Sequence, residues 1–301
     1  MLKVIPVEEA VGLPLAHDIT EIVPGKHKGP AFRRGHIVRE EDITKLLDVG
    51  KRNLYVMELE KDELHEEDAA HRLATAAAGA NLSLTDPSEG RINLVATISG
   101  LLKVDADRLY RFNSLGDLMM ATLPGDRYVK EGTVVAGTRT IPVIVKEELI
   151  RKAEAICKGK PIVTILPMPA KRIHLVVTGS EVFTGRIKDG FGPVVSKKVG
   201  ELGSELESIK LAPDDPDDKT PEGIRRSGAK VETHGFPVLP GSMFVMAYLD
   251  KTPVMGLSGC VLHDPFTAFD ALLPRLLAGE KISRADIMAM GHGGLQRKHD
   301  H

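Results

Sequence analysis

The chain has 301 residues, enough to bury a large core and to divide into two or three domains. Its 40 Lys and Arg balance 42 Asp and Glu, Trp is absent and aromatic residues make up 4%, so composition argues against nucleic acid as a partner, duplex or single-stranded. Two cysteines, Cys157 and Cys260, make neither a disulfide framework nor a zinc site; the first residues lack the apolar core of a secretory leader and no apolar run is long enough to span a bilayer, so a soluble, cytoplasmic protein is expected.

Residues 1–78 read as a small mixed α/β module. Residues 7–11 predict a short helix, stopped by Gly12 and Pro14. The stretch 21–34 is rich in Gly, Pro and bases and is expected to be loop. Residues 39–43 open a helix with acids in its first turn, where they suit the dipole; Leu46, Leu47 and Val49 continue its apolar face and Gly50 ends it. A strand is expected at 53–59, then an Ala-rich helix at 69–78. His65, Glu66, Glu67, Asp68 and His71 could suggest a metal cluster, since His65 and Asp68, like Asp68 and His71, stand at i, i+3 and could share a helix face. That spacing enforces no ligand geometry, and an acidic helix start with a solvated face is the preferred reading.

Residues 79–169 read as a β-rich module and linker. Short strands or turns are expected at 90–98, 105–112, 126–135 and 140–145, with a capped helix start at 112–119. The Met119-Met120 pair reads as core filler. An amphipathic helix is expected at 146–158, and a strand with a Pro-rich linker at 161–169.

The chemistry concentrates in 170–295. An apolar run at 174–177 predicts a buried strand; Thr178-Gly179-Ser180-Glu181 forms a small polar turn; Gly185, Asp189, Gly190 and Gly192 follow, then an apolar-periodic helix at 194–202. Strand, small-residue loop and helix together suit a phosphate, which can approach the backbone and meet free N–H groups. A strand is expected at 205–211, a helix at 219–226 with Thr220 as N-cap and Pro221 at N1, and a strand at 231–234. Then come an apolar helix at 243–249, a strand at 252–257, and a large helix at 266–277 that buries Ala268, Leu272, Leu273, Leu276 and Leu277. Asp214, Asp215, Asp217 and Asp218 read as a solvated acidic loop in preference to a cation site. Gly291 to Gly294 reads as a flexible tail element with His292 in it, and 296–301 as a disordered tail. Repetition of strand, loop and helix predicts an α/β fold of three layers, with ligands beyond the carboxyl ends of the strands.

The turn Thr178-Gly179-Ser180-Glu181, with Gly185 and Asp189-Gly190-Phe191-Gly192, resembles the first loop of the molybdopterin-binding fold. That fold is shared by molybdopterin adenylyltransferases, molybdopterin molybdenumtransferases and competence-damage-inducible proteins. Phe191 stands where the family usually has Asn. Pro240-Gly241-Ser242 and Gly256-Leu257-Ser258-Gly259-Cys260 are similar to its later ligand loops, with Ser258 in place of a proline and Cys260 in place of Asn. Residues 7–19 more weakly resemble the opening of the molybdenumtransferases, whereas 20–165 carry no chemical motif. Between the second strand of this region and the Thr220-Pro221-Glu222 helix the family has a further helix, strand and loop. Here Asp218 runs straight into Lys219, so either a central strand is lacking or a segment is missing, the second being favoured because deleting an inner strand opens the sheet.

The resemblance implies a C-terminal three-layer α/β/α molybdopterin-binding domain behind a mixed, β-rich N-terminal half. It implies a molybdenumtransferase-like enzyme of molybdenum cofactor biosynthesis, inserting molybdate into adenylylated molybdopterin with Mg²⁺, and commonly a homodimer. Thr178, Gly179, Ser180, Glu181, Gly185, Pro240, Gly241, Ser242, Ser258, Gly259 and Cys260 would then bind the pterin. Asp189 would be the working acid and, with Glu181, the magnesium ligand, the competing reading for each being a carboxylate satisfied by backbone N–H groups. Cys260 could be a thiolate ligand to molybdenum, although a small buried cysteine is the plainer reading. Two further readings are open: a non-catalytic pterin carrier or sensor, and a nucleotide pyrophosphatase of the competence-damage type.

Overall fold

The structure is a computed structural model that describes residues 2–23, 27–57, 59–213 and 220–295. The chain forms two compact units: unit 1 comprises Met1–Val95, Val104–Leu123 and Val134–Thr164, and unit 2 comprises Ala96–Lys103, Pro124–Thr133 and Ile165–His301. The fold is mixed α/β, as the residue pattern predicts.

Unit 1 starts with β1 (Leu2–Pro6) and a 3-10 turn at Val7–Glu9. It continues through the hairpin β2 (Ile19–Val23) and β3 (His27–Phe32) to α1 (Asp42–Asp48), and returns along β4 (Asn53–Met57), antiparallel to β1. Val7, Leu15, Ile19, Phe32, Leu46 and Leu54 form a small core of their own. Gly50, at φ 80°, ends α1, and the N–H groups of Gly50 and Lys51 donate to the carbonyls of Leu47 and Leu46. The stretch 21–34, expected as loop, contains most of a hairpin. Pro30 lies beside a register shift at Ile19/Thr20, where ladder bonding is already interrupted.

The next elements are β5 (Glu63–His65), α2 (Glu66–Ala77), β6 (Leu82–Leu84), β7 (Arg91–Ala96), β8 (Gly100–Val104), α3 (Ala106–Asn113), β9 (Leu118–Thr122), β10 (Arg127–Val129), β11 (Val134–Thr140), β12 (Ile144–Lys146) and α4 (Glu147–Cys157). Ala69, Ala70, Leu73, Ala74 and Ala77 are buried along α2, which packs on both α4 and the sheet β6-β7-β11-β9. Arg72 fastens α2 to α4: its Nε and Nη2 donate to the two oxygens of Glu154, each at 2.8 Å, and its Nη1 to Glu147 at 3.0 Å.

Two expectations exchange places here. Residues 105–112, expected as a strand or turn, are mostly α3; residues 112–119, expected as a helix start, lead into β9. Asp105 decides the first by accepting from the Arg108 N–H as an N-cap, with Phe112 wholly buried on the helix. Asn113 decides the second: its side chain holds both the N–H and the carbonyl of Met120, at 2.8 and 2.9 Å. The start of α2 also departs from a solvated face. His65 is fully buried, with Nε2 2.5 Å from the Ala16 carbonyl and Nδ1 accepting from the Glu67 N–H. Glu66 is buried as well, and burial raises its pKa.

Unit 2 contains the three-stranded sheet β10-β8-β13, with β13 at Val163–Pro167. There follow β14 (Arg172–Thr178), α5 (Ser180–Phe183), α6 (Phe191–Glu201), β15 (Glu205–Ala212), α7 (Thr220–Arg226), β16 (Lys230–His234), β17 (Val245–Leu249), β18 (Thr252–Gly256), α8 (Ala268–Leu277) and α9 (Arg284–Ala289). β14 and β15 are parallel, and α6 packs against them. Ile173 and Leu175 join the core, while His174 and Val176 are exposed, so the run expected to be a buried strand alternates instead.

β16, β17 and β18 form an antiparallel sheet with β17 in the middle. Met246 and Tyr248 share a core with Leu272, Leu273 and Leu276 of α8. On the alternate positions of the strands, Ile224 of α7 lies against Val245 and Gly256. Helix, sheet and helix therefore make three layers, although parallel pairing is confined to β14 and β15. Residues 243–249, expected as a helix, contain β17. A strand buried on both faces is apolar without a break, and such a run carries no period by which to tell it from a helix.

Gly291 to Gly294 is packed against the fold and does not behave as a free tail: the Leu239 N–H donates to the Gly294 carbonyl at 2.8 Å, and a Cβ on Gly294 would lie 2.2 Å from the Pro237 carbonyl oxygen. α9 was not expected; a capping box of Ser283 and Asp286 starts it. Residues 214–219, which hold the acidic run and the Asp218–Lys219 junction, and the tail 296–301 lie outside the described residues.

Candidate functional site

β14 ends at Thr178, and Gly179 follows at φ 147°, a backbone conformation that side chains rarely adopt. Its N–H donates to the Ala212 carbonyl at 3.2 Å, which ties the turn to the carboxyl end of β15 as well as β14. Ser180 to Phe183 then make one helical turn, and Gly185 at φ 72° closes it. The Glu181 carboxylate lies over Gly179: a Cβ there would be 3.0 Å from Glu181 Oε1. Thr178 Oγ1 is 3.1 Å from Thr220 Oγ1 at the start of α7.

Asp189 caps α6. Its Oδ1 accepts from the Phe191 N–H at 2.8 Å and its Oδ2 from the Gly192 N–H at 3.0 Å. A Cβ on Gly192 would lie 2.5 Å from Asp189 Oδ2 and 2.9 Å from Ile209 Cδ1, so a side chain there would have to displace the ends of both. An ionised carboxylate offers about four lone-pair sites, so capping leaves Asp189 some capacity for a cation. Phe191, the departure from the family pattern, packs against the core of the unit.

The later loops meet because of strand pairing. Val245 is registered with Gly256, so the residues before β17 and those after β18 lie at one end of the sheet. Pro240-Gly241-Ser242 supports the start of α8: the Pro240 carbonyl accepts from the Ala268 N–H at 3.2 Å, the Ser242 carbonyl accepts from the Phe236 N–H at 2.8 Å, and a Cβ on Gly241 would lie 2.7 Å from the Ala268 nitrogen. After β18, Ser258 precedes a 3-10 turn at Gly259–Leu262 that packs on α6; a Cβ on Gly190 would lie 3.6 Å from Leu262 Cδ2. This contact joins the first loop to the Ser258-Gly259-Cys260 turn. The Ser258 hydroxyl is buried and has no partner among the described residues. Cys260 is a half-buried free thiol.

Sequence reasoning passed over the residues that hold these loops together. Lys198 of α6 donates to Asp270 at 2.6 Å and to the Pro265 carbonyl at 2.8 Å, while Asp270 completes a capping box with the buried Thr267 at the start of α8. The Thr-x-x-Asp spacing was a usable signal for that cap. Among the described residues no group of three or more His, Cys, Asp or Glu is placed to hold a metal ion, and no helix is long and apolar enough to cross a membrane. A shallow groove of about 490 Å³ between α3 and α4, lined by Tyr110, Arg111, Leu115, Lys152 and Ile156, belongs to unit 1 and includes none of the expected site residues.

Residues 4–58, the small module from β1 to β4, match a family described as a domain of unknown function (DUF8806). A stretch of 53 residues is 45% identical to a CinA-like protein of Mycobacterium avium (strain 104), covering 18% of this chain and 12% of that relative. A CinA-like protein of Mycobacterium sp. (strain MCS) is 47% identical over 47 residues, covering 16% of this chain and 11% of the relative. The chain thus matches only about an eighth of the length of these curated relatives. Among solved structures, a molybdopterin biosynthesis moeA protein from Pyrococcus horikosii superposes over 93% of this chain and 75% of its own, with a TM-score of 0.31 and 13% identity. A second, from Pyrococcus horikoshii OT3, covers 71% of this chain and 78% of its own, with a TM-score of 0.25 and 13% identity.

Proposed function

We propose that the glycine-rich rim of unit 2 binds molybdopterin, in its free or adenylylated form, and that the protein takes part in molybdenum cofactor biosynthesis with molybdate insertion as its reaction. The observation that best supports this is Thr178-Gly179-Ser180, set at the common carboxyl end of the parallel strands β14 and β15. A phosphate can approach main chain there, at the edge of an α/β sheet where ligands are generally held. Hydroxyls at Thr178 and Ser180 would bond to the phosphate, Thr178 while keeping its contact with Thr220. Asp189, with Glu181, would hold Mg²⁺ together with ligand phosphate oxygens, and the ion would supply Lewis acidity. The protein's own part is to hold the anion, fix its orientation and set its distance from that carboxylate. A homodimer goes with this reading.

A second reading, a nucleotide pyrophosphatase of the competence-damage type, draws support from the short, highly similar stretch shared with mycobacterial CinA-like proteins. A third, a carrier that binds without turnover, draws support from the commitment of Asp189 to helix capping. One preparation tests all three: the purified protein is denatured and extracted for pterin and metal, then assayed with adenylylated molybdopterin, Mg²⁺ and molybdate, and separately with nucleotide sugars. Bound pterin with AMP release and molybdenum uptake supports the transferase. Pterin without either reaction identifies the carrier, and nucleotide cleavage without pterin affinity identifies the pyrophosphatase.

A further inference from the structure

The groove between α3 and α4 in unit 1, about 490 Å³, has an apolar floor of Leu115 and Ile156, both half-buried. A second groove, about 420 Å³, lies on the other side of α4, between it and α2, and Ala155 lines both. A residue that small lets one occupant cross α4 and use the two grooves together. Tyr110 stands on the wall of the first with 75% of its surface exposed, the highest value for a large apolar side chain among the described residues. Its neighbours on α3 and α4 are already fixed. Arg108 donates to the carbonyls of Ile156 and Lys160 at the end of α4, the second at 2.9 Å, and Lys160 pairs with Asp105 at 2.8 Å. Arg72 ties α4 to α2 in turn. An occupant therefore meets walls that need little ordering.

Charge narrows what that occupant can be. Arg111 and Lys152 line the first groove, Arg151 and Lys158 the second. Glu154 is the one acid among the described lining residues, and both its oxygens already accept from Arg72. Arg111 and Lys158 make no ion pair among the described residues. Arg151 and Lys152 meet Glu147 and Glu148 in i, i+4 surface pairs, which hold a cation only weakly. Grooves this shallow do not enclose a small ligand, which needs most of its surface buried. They suit the apolar face of a helix laid along them.

We propose that this face of unit 1 docks an acidic amphipathic helix of a partner protein. Apolar side chains at i, i+3, i+4 and i+7 enter the grooves beside Tyr110, and Asp or Glu residues flanking them meet Arg111, Lys152, Arg151 and Lys158. Tyr and Arg are the residue types that most often dominate such an interface. The assignment stands whether or not the rim of unit 2 binds pterin.

The test is a selection on the full chain from a displayed library of helical peptides, with Leu or Phe at those spacings and every other position randomised. Recovered peptides are then titrated by fluorescence anisotropy against wild type, Tyr110→Ala and Arg111→Glu, with thermal unfolding of each protein. Both substitutions are at exposed positions and are expected to leave the unfolding temperature unchanged. Recovered peptides are expected to be enriched in Asp and Glu and to bind each variant about tenfold more weakly or worse. Failure to recover a binder, recovery of neutral or basic peptides, or equal affinity for wild type and both variants overturns the assignment. Self-association of the wild type that Tyr110→Ala abolishes also overturns it, in favour of a second copy of the chain. Sedimentation with phosphatidylserine vesicles that Tyr110→Ala abolishes overturns it in favour of a membrane surface.

Discussion

Asp189 has one role visible in the fold and a second proposed for it, and two substitutions separate them. Its carboxylate accepts from the Phe191 N–H at 2.8 Å and the Gly192 N–H at 3.0 Å. In Asp189→Asn the amide oxygen can keep one of these bonds and a side chain of the same size is retained. What is lost is chiefly the charge at the helix start, worth about 0.3–1 kcal/mol. In Asp189→Ala both N–H groups lose their acceptor, and removal of such a cap costs about 0.5–2 kcal/mol. Urea unfolding followed by circular dichroism measures both. Titration with molybdopterin, with and without Mg²⁺, then reads the second role. Asp189→Asn is expected to fold almost as stably as wild type and to lose the tightening that Mg²⁺ produces. Full magnesium dependence in Asp189→Asn refutes the cation role, and an alanine variant as stable as wild type refutes the capping argument.

Gly241→Ala places a Cβ 2.7 Å from the Ala268 nitrogen at φ 115°, and is expected to cost about 2–4 kcal/mol. Gly259→Ala, whose Cβ would meet nothing within 4 Å, should cost less than about 1 kcal/mol, and equal losses in thermal unfolding would contradict the packing role assigned to Gly241. Arg72→Met should lower stability by about 1 kcal/mol after allowance for solvent screening. Hydrogen bonds from Arg72 hold the pKa values of Glu147 and Glu154 below the usual carboxylate value, so their contribution is present above about pH 4.5 and is lost as pH falls through the depressed values. The acid limb of a stability–pH profile should therefore be shallower in Arg72→Met than in wild type; superimposable limbs would contradict this. Burial, and then the nearby Arg34 charge, push the His65 pKa below 6.5. The unfolded chain takes up that proton first, so the contribution of His65 is present above pH 6.5 and declines as pH falls toward the folded value. His65→Asn can still accept from the Glu67 N–H, and its denaturation midpoint should fall less than that of wild type between about pH 7 and 5; parallel falls would sink the argument.

Elements with local signals were legible from residues alone. α1 turns Ile43, Leu46 and Val49 inward and ends at Gly50, although Leu47, expected on the same face, is exposed; α8 shows Ala268, Leu272, Leu273, Leu276 and Leu277 on one side, all buried. The strand–loop–helix from β14 to α6 was readable for the same reason, since small residues between two apolar segments mark a turn wherever the chain goes next. Elements whose partners are distant in the chain were not. β17 is an unbroken apolar run because it is the middle strand of its sheet and is buried on both faces, and the β2–β3 hairpin carries Gly and Pro that only pairing could accommodate. His65 looked like part of an acidic surface until the Ala16 carbonyl, 49 positions away, was brought against it.

At the candidate site the residue types were set by sequence, whereas their employment was set by packing. Nothing in the order Pro-Gly-Ser says that Gly241 lies against Ala268, and nothing in Leu-Ser-Gly says that the Ser258 hydroxyl is buried without a cap bond. Local preferences act over a turn or two of chain. Which loops share a rim depends on strand register and on helices that return from tens of residues away, and that information exists only in the folded molecule.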